Sequence, residues 1–140
     1  MTLPLRAASD GENGPMITGV LIAAALALGY AVAVGLSIAA TFGITAMSPA
    51  FVTREYRIRP AYKLVQELVW LVCATAGGFV AAAVSGATMA WFAGAVLAGI
   101  MILVLWTNTW EMRQHGAIHQ TLMSLASAAG VAAGYLLWMR

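Results

Sequence analysis

MITGVLIAAALALGYAVAVGLSIAATFGITAM, residues 16–47, contains no Asp, Glu, Lys, Arg or His. The hydrocarbon layer of a bilayer is about 30 Å thick and takes about 20 helical residues to cross, so a run of this length and purity reads as a membrane span. At about 1.5 Å per residue it would make about 48 Å of helix, so the helix must tilt or project into one interface. Pro15 suits a first helical position, where its missing N–H costs nothing, and Ser48-Pro49 stops the run. A cleaved signal peptide would have a basic leader and an apolar stretch of about 7–15 residues. Here Asp10 and Glu12 precede the run, which is therefore read as a retained helix.

Three more apolar runs follow, and together they predict an all-α integral membrane bundle of four transmembrane helices at about 16–47, 64–84, 88–107 and 118–139. Residues 1–15 read as a flexible polar tail and residues 16–140 as one four-helix membrane domain. Composition agrees. The chain of 140 residues is 62% hydrophobic and 9% charged, with a mean hydropathy of +0.88. A soluble domain carries about 25% charged residues to wet its surface, which this chain cannot do. The net charge of +2 is spread over separated loops, so no continuous phosphate-binding face exists and nucleic acid is excluded as a partner. A single cysteine, Cys73, rules out an intrachain disulfide. Nucleotide loops, catalytic triads and CxxC motifs are absent from the sequence.

Small residues recur at intervals of four on every predicted span. In the first they are Ala23, Ala27, Ala31, Gly35, Ala39 and Gly43; in the second Ala74, Gly78 and Ala82; in the third Ala90, Gly94 and Ala98; in the fourth Ala126, Gly130 and Gly134. In lipid, where apolar burial gives no driving force between helices, such strips permit the close backbone approach that replaces it. Gly35, Gly43, Gly78, Gly94, Gly130 and Gly134 are accordingly expected at helix–helix contacts. Thr18, Ser37, Thr41, Thr45, Thr75, Ser124 and Ser127 are expected to be helix-packing hydroxyls that bond back to carbonyls of their own helices.

Orientation follows from the basic residues, since short loops rich in Lys and Arg stay cytoplasmic. Arg54, Arg57, Arg59 and Lys63 precede the second span and Arg113 precedes the fourth, which places both termini on the non-cytoplasmic side. Trp70, Trp106 and Trp110 read as anchors at the cytoplasmic interface, and Trp91 and Trp138 at the opposite one. Residues 48–63 interleave aromatic and basic side chains and are expected to lie along the membrane surface.

Arg54, Arg57, Arg59 and Lys63 form the candidate site for anionic headgroups or an acidic partner, beside their topogenic role. Glu67 stands one turn after Lys63 and is read as its ion-pair partner or as a polar group in a cytoplasm-facing cleft pairing with Arg59 or a neighbour's arginine. Glu111, His115 and His119 are spaced as three ligands on one helical face, although Gly116 interrupts the stretch; they are the weak candidates for a metal, and no cofactor is expected. Ion-coupled transporters place an ionisable group at mid-span, and no predicted helix here carries one. The small multidrug exporters share the size and four-helix plan, but the carboxylate of their first helix has no counterpart in this one.

These features lead to a small membrane protein of the cell inner or plasma membrane that acts as a structural or accessory subunit, meeting lipid and either other membrane chains or copies of itself. In length, helix number, placement of termini and a basic loop before the second helix, the chain also resembles the membrane-associated enzymes of eicosanoid and glutathione metabolism. The resemblance implies a homo-oligomeric enzyme with a cytoplasm-facing glutathione site, to which Arg57, Arg59 and Glu67 would contribute. The Asn that this family carries on its second helix and the arginine–tyrosine pattern after its third have no counterparts in the sequence.

Overall fold

A computed structural model describes residues 10–54, 57–58, 60–108, 113 and 116–140. Five helices are present among them: α1 (Asp10–Met47), the one-turn α2 (Pro49–Val52), α3 (Pro60–Ser85), α4 (Ala90–Thr107) and α5 (Ala117–Trp138). α1, α3, α4 and α5 are each long and apolar enough to cross a membrane, with mean hydropathies of 2.3, 2.0, 2.1 and 1.4 over their most apolar windows. The protein is thus a four-helix membrane protein.

The helix ends follow local chemistry. α1 begins at Asp10, six residues before the expected start, and carries Pro15 inside it. Proline near a helix start already has a helical φ and removes a single backbone bond, so the helix can run through it. α3 starts on Pro60, at the position that proline favours. It ends where Gly86 adopts φ +76° and its N–H bonds to the Ala82 carbonyl at 3.1 Å, a left-handed stop that glycine makes without steric cost. Between α2 and α3 the chain forms a two-residue antiparallel ladder, Thr53–Arg54 (β1) with Arg57–Ile58 (β2), Thr53 opposite Ile58 and Arg54 opposite Arg57. Of the segment expected along the membrane surface at 48–63, the described residues form α2, the β1–β2 ladder and the first turn of α3.

α3 lies at the centre, packed most extensively against α5 and α1 and also against α4, which touches both of the others. Glycine sets these distances. A methyl added to Gly29 would stand 2.8 Å from the Gly77 carbonyl oxygen, and one added to Gly77 would stand 2.6 Å from that of Gly29, so α1 and α3 meet backbone to backbone. Similarly, a methyl on Gly130 would stand 2.7 Å from the Leu71 oxygen and 2.7 Å from Ala74 Cβ, and one on Gly78 would stand 2.6 Å from the Val131 oxygen. Gly134 faces the Thr75 carbonyl and Phe79 N as closely. Leu97 and Met101 of α4 fill the remaining space against Ala33, Ala74, Ala81 and Val131.

The strip that α1 turns toward α3 is Ala25, Gly29 and Ala33, of which both alanines are fully buried. Ala23, Ala27, Ala31, Gly35, Ala39 and Gly43, two residues out of phase and so about 200° around the helix at 100° per residue, are exposed throughout. Nothing described lies within 4 Å of a methyl built on Gly35 or Gly43, whereas one on Gly94 makes ordinary contact with Val131 at 3.6 Å.

Candidate functional site

Polar side chains collect at the hairpin end of the bundle, along the first half of α5. The stretch AIHQTLMSLAS opens that helix, and 3.6 residues per turn place buried Gln120 and Ser127 and half-buried Ser124 on one stripe with His119 beside it. Glu67 reaches the stripe from α3, about 10 Å along the axis from the start of that helix at 1.5 Å per residue.

His119 Nδ1–H donates to Glu67 Oε1 at 2.8 Å, the proton being placed by the carboxylate opposite; the two side chains are 3% and 17% exposed. This joins α5 to α3. Ser127 makes a second join: its hydroxyl accepts the Trp70 indole N–H at 2.7 Å and donates to the Met123 carbonyl at 2.9 Å. Toward α4 the pattern repeats, Ser124 accepting from Trp106 Nε1 at 3.0 Å while donating to the Gln120 carbonyl at 2.8 Å. Gln120, fully buried, donates through Nε2 to the Leu105 carbonyl at 3.0 Å. Leu105 lies in the last turn of α4, where carbonyls lack a helical partner, so the Gln120 amide satisfies one of them. Gln120 Oε1 is buried with no hydrogen-bond partner among the described residues.

Glu67 therefore meets His119, fifty-two positions away in sequence, beyond either pairing that local spacing suggested. Lys63 stands one turn before it in α3, partly buried. Arg54 and Arg57 face each other across the β1–β2 ladder by backbone register, while their side chains, and Arg59 altogether, lie outside the described residues, as do Glu111 and His115. Among the described residues no three His, Cys, Asp or Glu side chains gather as metal ligands. Cys73 is a buried free thiol.

Trp70, read as an interfacial anchor, packs against the core and donates its N–H inside the bundle. Sequence reasoning passed over Gln120, although a glutamine within an apolar span is itself a polar group that must find partners. The grooves between helices have a different character: one between α4 and α5 is lined by Trp91, Gly94, Ala98, Val131 and Tyr135, another between α3 and α5 by Val72, Ala76, Phe79 and Leu137, and both are apolar. Comparison with protein-family models, curated proteins and solved structures gives no match.

Proposed function

We propose that this chain is a structural or accessory subunit of a larger membrane complex in the cell inner or plasma membrane, with both termini on the non-cytoplasmic side. The observation that carries the reading is the second small-residue strip of α1. Ala25, Gly29 and Ala33 are spent on α3, while Ala23, Ala27, Ala31, Gly35, Ala39 and Gly43 stay exposed on the opposite face, a surface that another membrane helix can approach closely. The polar groups of α3, α4 and α5 support the same reading, because their hydrogen bonds tie helix to helix: Glu67 to His119, Trp70 to Ser127, Gln120 to Leu105. Other membrane chains or further copies of this one are the partners, with lipid around them. On the cytoplasmic side, Arg54, Arg57, Arg59 and Lys63 would meet anionic headgroups, each adding about 1 kcal/mol near such a surface.

Purification of the full chain in mild detergent tests the proposal. Stoichiometric co-purifying membrane proteins, or a defined homo-oligomer without turnover, are the expected results. A homo-oligomer that turns over a thiol or lipid substrate, with turnover abolished by Glu67→Gln, would replace the subunit by the glutathione-type enzyme.

A further inference from the structure

The α3–α5 interface is held by two unlike kinds of contact along its length. At one end, a methyl added to Gly78, Gly130 or Gly134 would stand within 2.7 Å of backbone atoms of the facing helix. Toward the hairpin, long side chains fill the gap: Glu67 reaches His119, Trp70 reaches Ser127, and Tyr62 and Met123 are buried. Helices separate by the size of the residues at their contact, so large side chains demand more room at the hairpin end, the wide end, than small ones do at the other. At the hairpin end α5 starts on Gly116, at φ +84° and without a side-chain cap.

We propose that the Glu67–His119 hydrogen bond is a latch holding shut the hairpin end of the α3–α5 pair, and that this end opens as a V about the contacts at Gly78, Gly130 and Gly134. Opening would admit headgroup water to Gln120, whose buried Oε1 has no acceptor role among the described residues when the latch is shut. Closure leaves that oxygen dehydrated, and the latch opposes the resulting tendency to open. The glycine contacts have no such freedom, because they can separate only by losing the closest packing in the pair.

Two buried reporters, each 3% exposed, distinguish the ends: Met123→Cys at the wide end and Val131→Cys beside Gly78, both in a Cys73→Ala background and in lipid vesicles. Removing the latch by Glu67→Ala should raise the N-ethylmaleimide labelling rate of Met123→Cys by roughly tenfold, as loss of a hydrogen bond to a charged group would do, and leave that of Val131→Cys unchanged. His119→Asn should give the same pattern and serves as the second variant if Glu67→Ala does not insert. A rise at both reporters would mean general loosening and would overturn the latch. No rise at Met123→Cys, or a rise at Val131→Cys alone, would overturn it equally.

Discussion

The role of a glycine within α1 or α5 depends on which side of its helix is occupied. Gly130 and Gly134 face backbone atoms of α3, which cannot move aside as a flexible side chain can. Gly130→Leu or Gly134→Leu should therefore cost at least the 1–3 kcal/mol or so typical of overpacking, read as a lower thermal midpoint in detergent. Gly35→Leu should change the stability of the isolated chain by less than about 0.5 kcal/mol, the usual range for exposed positions, and should weaken assembly instead. Equal destabilisation by Gly35→Leu and Gly130→Leu would contradict this division. Ser127 has a different role. Its hydroxyl is the acceptor for Trp70 Nε1, so Ser127→Ala leaves that N–H unpaired inside the bundle at a cost of about 1–3 kcal/mol. Trp70→Phe removes the donor as well, and the double variant should cost less than the sum of the two single ones; strict additivity would show that the bond contributes nothing.

Among the elements, α1 shows how much of the fold the sequence states and where it falls silent. Its existence and its end at Met47 follow from an uncharged run and a Ser-Pro stop, because the transfer of charge into hydrocarbon is a strong local term. Its packing face does not follow. Residues 16–47 hold so many alanines and glycines that the strip Ala23, Ala27, Ala31, Gly35, Ala39 and Gly43 and the strip Ala25, Gly29 and Ala33 are both consistent with close approach, and only the shape of α3 selects between them. The polar seam was half legible for a related reason. Hydroxyls bonding back four residues, as Thr75 does to the Leu71 carbonyl and Ser127 to that of Met123, belong to any helix and were expected. Glu67 and His119 belong to different helices, and no local spacing joins them. The pairing implies a measurable coupling: in a double-mutant cycle of Glu67→Leu and His119→Leu, the double variant should be more stable than the sum of single losses predicts, because each single change strands a polar partner in the bundle. A coupling energy indistinguishable from zero would remove the α3–α5 clasp.

For the whole molecule, the proposed orientation and the proposed partner contact can both be tested on one segment. The β1–β2 ladder brings Arg54 and Arg57 into backbone register across two short strands, at the end of the bundle where α3 and its Lys63 begin. In the proposed orientation, basic residues so close to a span would hold their loop in the cytoplasm, and the same charges would attract an anionic surface. The two roles separate experimentally. Topology is read first: single cysteines at Ala7 and Thr53 in a Cys73→Ala background should label from opposite sides of the membrane, and labelling from one side would overturn the assignment of both termini. Replacing Arg54, Arg57 and Arg59 together by Gln then tests attraction, on protein shown by that labelling to be correctly inserted. Binding of the wild-type protein to its partner or to anionic lipid should weaken as salt rises, since the screening length falls from about 10 Å at 0.1 M to about 3 Å at 1 M. The triple variant should start weaker and depend less on salt. If it inserts correctly and retains wild-type binding at low salt, the hairpin serves orientation alone, and the contact that recruits a partner must be sought on the outward strip of α1.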